Sequence, residues 1–594
     1  MSVEQSGTTE HKNNSSNSGD AATTNVVPDA GSDRAAAAPP AASDAFDPLG
    51  VNRAAAQVWQ SLLAHPETLV ATQMELANAW ASATARAFSP PSAAKAPPPI
   101  EPAAGDSRWK HPAWTENPMF AAMQQGYLLA TKAVLEGVER APDVDAETKE
   151  RVKYFAKQVC DALSPTNFAS LNPAVIEETF RTGGANLQRG AQNVVQDLLE
   201  NSGRPALVDK KAFEVGKNVA TTKGTVVYRN DLIEVIQYTP STETVYERPL
   251  VIMPPWINKY YILDLQPKNS FVKFAVDSGF QTFLISWRNP DASMAHVKFE
   301  DYLESGAYAA TNAAMAITGA SDTNYVGYCL GGTLLAILLA YAERKGESFA
   351  NAATFFAALV DFSEPGDIKN FLSPEAIAHI ERKMREKGVL DASEMSDTFN
   401  MLRANDLIWN VAVNRYLLGQ EAPAFDLLYW NSDSTRLAAD FHSYYLKNMY
   451  LENNLVKPDV LKMNGVPIDL KRVRNDVFSI ATKDDHIAPW RTVYKSTQIF
   501  SGDVQFRLAH SGHIAGIINS PASGKGNYWK AARNPPDPDE WFASAEKIPG
   551  SFWVEWAAWL GTRSGARVPA PEPAGNAEYP PLGPAPGTYV LEKS

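Results

Sequence analysis

The chain has 594 residues, too many for one ordinary core, so two or more domains are expected. Apolar residues make up 45%, enough for a large interior, and 54 basic against 67 acidic side chains leave a formal charge of −13. An acidic chain without a long basic run argues against a nucleic-acid partner, whose phosphates need Lys and Arg to displace counterions.

The start, "MSVEQSGTTEHKNNSSNSGD", has neither the basic beginning nor the apolar centre of a signal peptide. Residues 1 to about 48 are rich in Ala, Ser, Asn, Gly and Pro, with almost nothing to bury, and read as a disordered tail. Residues 51–88 read as helical, with Pro66 breaking the run, and a flexible Pro-rich stretch follows at 89–106. Residues 1–106 are thus a tail carrying one helical segment, and 107–210 an α-helical N-terminal domain with no catalytic constellation. That domain holds "ENPMFAAMQQGYLLATKAVLEGV" and "NPAVIEETFRTGGANLQRGAQNVVQDLLE". Cys160 lies in it, far from the second cysteine, Cys329. Two such cysteines make no disulfide framework and no metal-spaced cluster, which fits a reduced, cytoplasmic setting. The longest apolar run, Leu334–Ala342, is far short of the ~20 residues a membrane span needs.

Residues 211–594 form the third unit. "KGTVVYRNDLIEVIQYTP" predicts two strands joined by a turn at Asn230-Asp231. Further strands are predicted at 248–255, 281–287, 323–328, 352–362, 476–482 and 503–509, alternating with helices. Continuous apolar strands separated by helices imply a parallel sheet covered on both faces. Between 363 and about 460 helical, aromatic-rich sequence takes over. Such an insertion between middle and late strands predicts a cap over a site beyond the strands' carboxyl ends. The Pro-rich end, "VPAPEPAGNAEYPPLGPAPGTYVLEKS", is expected to run extended along a surface.

Gly327-Tyr328-Cys329-Leu330-Gly331 sits between a predicted strand and an apolar helix. It has the form G-x-C-x-G, a nucleophile elbow of α/β-hydrolase type with sulfur in place of serine oxygen. The helix N-terminus favours a thiolate there. The plainer alternative, a buried structural cysteine, is common in protein interiors. In this fold the acid follows a late strand and the base the last one. "KDDHIAPW" follows one such strand and "HSGHIAGIIN" the other, so Asp485 and His513 stand in the expected places. Asp484 competes for the acid role, and His486 and His510 for the base. His510 abuts its strand, whereas a Ser-Gly turn can carry His513 towards the sulfur. Three roles in the right order outweigh the plainer alternative. Oxyanion donors are expected from the Leu330 N–H and from the loop "MPPWINKYYILDL", with Ile257 the candidate.

These segments resemble a known family, the class I poly(3-hydroxyalkanoate) synthases. The likeness rests on "GYCLGGT", "PPWINKYYILDLQPKNS", "WRNPD", "DDHIAPW", "SGHIAGIIN", "SPTNFASLNPAVIEETFRTGGANLQRG" and "YPPLGPAPGTYVLEK", from about Trp109 to the end. It implies a Cys329–His513–Asp485 centre that polymerises (R)-3-hydroxyacyl-CoA into polyester with release of CoA. It also implies short-chain monomers such as 3-hydroxybutyryl-CoA, a homodimer, and a cytoplasmic protein on polyester granules. By the same resemblance the segment around Trp430 controls access and contributes to dimer contacts. No metal or redox cofactor is suggested; the CoA thioester is the substrate. Two rivals remain, a cysteine-nucleophile depolymerase or thioesterase, and a granule-coat protein with a vestigial triad.

Overall fold

The computed structural model describes residues 47–87, 98, 100–103 and 105–594; most of the expected disordered tail and part of the Pro-rich stretch lie outside them. Helix α1 (Val51–Ala64) ends at His65, and α2 (Pro66–Ala87) begins on Pro66, whose fixed φ and missing N–H suit a first helical position. Four further helices of ten or more residues precede the sheet: α3 (Pro118–Glu139), α4 (Ala146–Ala162), α5 (Pro173–Thr182) and α6 (Ala185–Glu200). Asn117, Asp145 and Asn172 cap the first three of these by accepting N–H bonds in the opening turn.

Eleven strands then form one sheet. They are β1 (Gly224–Arg229), β2 (Ile233–Tyr238), β3 (Pro249–Met253), β4 (Gln281–Trp287), β5 (Thr323–Tyr328), β6 (Ala350–Phe356), β7 (Asp476–Thr482), β8 (Val504–Ala509), β9 (Asn527–Lys530), β10 (Glu546–Pro549) and β11 (Gly583–Pro584). Their order is β10-β9-β8-β7-β6-β5-β3-β4-β2-β1-β11. The six from β8 to β4 are parallel, and those at both edges antiparallel. The expected parallel sheet is therefore the centre of a larger mixed one. β11 belongs to the Pro-rich end, which pairs with β1 as a strand.

Successive side chains of a strand point to opposite faces, and two cores result. Val251, Phe283 and Tyr325 join one with helix α7 (Leu330–Lys345); Leu250, Leu284 and Val326 join the other with the helix Trp553–Gly561. A helical cap follows β6, including α8 (Pro374–Lys387), α9 (Ala392–Leu402) and α10 (Asp426–Ser432). One two-residue pairing, Val389–Leu390 with Leu437–Ala438, interrupts its helices. Parts of the cap, 405–409, 413–417 and 446–451, are π-helical.

Candidate active site

The turn from β5 into α7 holds Cys329 at φ 51° and ψ −119°, a conformation L-residues rarely adopt. The Cys329 N–H donates to the Phe356 carbonyl (2.8 Å), and its carbonyl accepts from Gly332 (2.9 Å). The glycines around it answer to space. A Cβ on Gly331 would stand 2.0 Å from the Met253 carbonyl oxygen, and one on Gly327 2.5 Å from the Gly332 Cα. Cys329 itself is half-buried.

Asp485 follows β7 and His513 follows β8. His513 Nδ1 lies 2.7 Å from Asp485 Oδ2, and both side chains are buried. The carboxylate is fully engaged: Oδ2 also accepts from the Thr482 hydroxyl (2.9 Å), and Oδ1 from the N–H groups of Ile487 (2.9 Å) and Ala488 (2.8 Å). Burial pushes Asp485 up, but the charge and hydrogen bond of His513, then the two N–H groups, leave it below the usual carboxylate range. Burial also disfavours charge on His513. The Asp485 carboxylate and then the Cys329 sulfur outweigh it and raise the imidazole well above the ordinary histidine value. Tyr328 stacks on the His513 ring with centroids 5.6 Å apart.

The competing candidates go elsewhere. Asp484 is exposed, its N–H donating to the Ser511 carbonyl (3.0 Å). His510 Nδ1 lies 3.2 Å from the Asn527 carbonyl, bracing the connection into β9. His486 faces a polar cleft with Lys157, Arg403 and Asp406, and burial lowers it to about 4.

Cys329 and His513 open on an apolar cavity of about 60 Å³. Its floor includes Pro255, Ile257 and Asn258 after β3, and its roof is the cap: Met395, Ser396 and Phe399 of α9 with Trp430, Asn431 and Ser434. Ile257 thus lines the same cavity as Cys329, while the Leu330 N–H opens α7, where no helical carbonyl can reach it. Trp430 is buried against this loop, its Nε1 donating to the Lys259 carbonyl (2.7 Å). The sequence assigns no role to the α9 side chains or to the Tyr328 ring; the insertion after the middle strands predicts the roof, but no residue pattern says which of its side chains face the sulfur. Among the described residues no group of three or more His, Cys, Asp or Glu could hold a metal ion.

A nucleophile position on a strained strand-to-helix turn, with an imidazole and a carboxylate after the last two parallel strands, defines an α/β-hydrolase fold. Residues 249–520 match the family model described as alpha/beta hydrolase fold. Residues 105–275 match that of the poly-beta-hydroxybutyrate polymerase (PhaC) N-terminus. The chain is 42% identical to a poly(3-hydroxyalkanoate) polymerase of Methylorubrum extorquens, covering 92% of this chain and 90% of the relative. It is also 42% identical to a poly(3-hydroxyalkanoate) polymerase subunit of Rhizobium etli, over 82% of this chain and 77% of that one. A solved monoacylglycerol lipase of Paleococcus ferrophilus aligns at TM-score 0.30 and 13% identity, covering 56% of this chain and all of its own. The chain belongs to the poly(3-hydroxyalkanoate) polymerase family.

Proposed function

We propose that this polymerase builds polyester from (R)-3-hydroxyacyl-CoA through a thioester on Cys329. The observation that carries the reading is that His513, paired with Asp485, lines one apolar cavity with Cys329. His513 takes the thiol proton, and the sulfur attacks the CoA thioester carbonyl. The N–H groups of Leu330 and Ile257 are the proposed donors to the oxyanion. The intermediate collapses, the C–S bond to CoA breaks, and CoA leaves with the proton from His513. A 3-hydroxyl then loses its proton to His513 and attacks the cysteinyl carbonyl; the ester forms, the C–S bond to Cys329 breaks, and the sulfur takes the proton back from His513.

The thiol has a chemical reason. Exchanging one thioester for another keeps the acyl group activated, whereas a serine ester would leave little drive for the next bond. Asp485 serves best as the group that orients His513, because both its oxygens are already occupied by donors. A direct role for it as base would require breaking one of these bonds. No cofactor enters the reaction.

A short monomer such as 3-hydroxybutyryl-CoA is proposed from the family resemblance, and a short acyl group needs the least displacement of the roof over Cys329. Association with a polyester granule in the cytoplasm draws support from the N-terminal helices, where Trp59, Leu63, Met74, Phe180, Leu198 and Leu199 are exposed. No helix among the described residues is long and apolar enough to cross a membrane. The homodimer rests on family resemblance alone, and sedimentation of the purified protein tests it.

The deciding experiment mixes the protein with (R)-3-hydroxybutyryl-CoA, follows thiol release and analyses the acyl product. Insoluble polyester, absent with Cys329→Ala, is the expected result. Free 3-hydroxybutyrate alone would replace the polymerase by a thioesterase.

A further inference from the structure

Helix α6 turns an unusual face inward. Its buried residues are Asn186, Gly190, Asn193 and Asp197, while Val195, Leu198 and Leu199 stand in solvent. The polar stripe meets the cap at residues 415–420. Gly190 lies so close that a Cβ there would come within 1.8 Å of the Tyr416 carbonyl oxygen. Asn186 donates to the Leu417 carbonyl (2.8 Å), and Asn193 to those of Arg415 (2.9 Å) and Gln420 (3.2 Å). Asp197 accepts two hydrogen bonds from the buried Arg415 guanidinium, at 2.6 and 2.9 Å, and one from the Tyr416 hydroxyl at 3.0 Å. A second contact reaches α9. The Tyr154 hydroxyl of α4 donates to the Met401 carbonyl (3.0 Å), and Arg204 pairs with Asp397 (2.6 Å). That helix supplies Met395, Ser396 and Phe399 to the cavity roof.

The cavity, about 60 Å³, has room for only a few waters, each needing roughly 10–15 Å³ of such space. Ligand pockets run to several times that size. Acyl-CoA therefore requires the cap to move, and whatever seats the cap again controls how dry the cysteinyl thioester is. Directional bonds to carbonyls define one seated position, where an apolar contact would tolerate sliding. The polar seam of α6 also rehydrates on parting, while α4 adds an aromatic contact, Tyr154 and Phe155 against Phe371 of the cap.

We propose that α4 and α6 clamp the cap shut over Cys329, with Gly190, Asn193 and the Asp197–Arg415 pair as positioning residues that keep water from the acyl-enzyme. This rests on the polymerase reading above. It assigns the N-terminal helices a part in the choice between polymer and hydrolysis.

Gly190→Ala tests it, because alanine is the better helix former, so α6 itself is not weakened while its methyl forces the seam apart. The full chain is given (R)-3-hydroxybutyryl-CoA, and product is divided into polyester and free 3-hydroxybutyrate. CoA release should persist while the free-acid share rises severalfold. Arg415→Lys, keeping a charge opposite Asp197, should lie between wild type and Gly190→Ala, and Gln192→Ala, on the exposed side, should match wild type. Should Gly190→Ala not fold, Asn193→Ala removes two hydrogen bonds without adding an atom and carries the same expectation. Wild-type partition in the folded seam variants, or loss of turnover without a change in partition, overturns the clamp. Free acid alone from the wild type overturns the polymerase reading and the clamp with it.

Discussion

At the residue scale the chemistry turns on how three side chains share protons. Cys329→Ala should reduce CoA release to background in a thiol-release assay, since no other nucleophile occupies the elbow. His513→Gln should cost about 10²- to 10⁴-fold in turnover, the usual worth of a positioned base. His510→Gln should be mild, because that ring only braces the way into β9. The acid and base pair also sets a pH dependence of stability. The folded-state affinity of His513 for its proton is raised, so its contribution is full below about pH 6.5 and is lost as pH rises through the folded value. That of Asp485 is lowered, so its contribution is present above about pH 4 and is lost as pH falls through its folded value. Melting curves of wild type and Asp485→Asn should differ most between about pH 4 and 6.5, and the gap should narrow in alkali without closing, since the Ile487 and Ala488 N–H groups still favour the carboxylate. A gap unchanged into the alkaline range would sink this account.

At the scale of elements, much was legible from pattern. Strands β4, β5 and β7 span the predicted residues, because buried parallel strands announce themselves as unbroken apolar runs bounded by turns. Pro66 divided α1 from α2 for the reason the sequence suggested. β9 and β10 are not legible, because "NYWK" and "EKIP" are four-residue strands, the second at the sheet edge, with no alternation to reveal them. Nor does any residue pattern mark the π-helical turns of the cap. Helix α6 misleads outright, since a reader of periodicity buries its leucines and exposes its asparagines. The elbow makes a sharper claim. Gly331→Ala should lower stability by about 1–3 kcal/mol or more in denaturant titration, because its methyl would meet a backbone carbonyl that cannot move aside. Trp430→Ala should cost about 3–5 kcal/mol by the same measurement, and it also removes the bond to the Lys259 carbonyl.

At the scale of the whole molecule, the helices before the sheet have two neighbours, the cap on one side and solvent on the other. Replacing Val195, Leu198 and Leu199 by serine should weaken sedimentation with polyester granules. CoA release from soluble substrate should stay unchanged, since these side chains are exposed. Retained sedimentation would move the docking surface elsewhere on the chain. The same test applied to a chain lacking residues 1–108 separates the contribution of α1 and α2. The two cysteines allow something further. Burial raises the Cys160 thiol and slows its reaction with electrophiles, while Cys329 reacts only with what fits beneath Trp430 and Phe399. A ladder of alkylating reagents of increasing bulk thus becomes a ruler. The size at which Cys329 escapes modification measures how far the roof lifts, molecule by molecule, with no dye or added label.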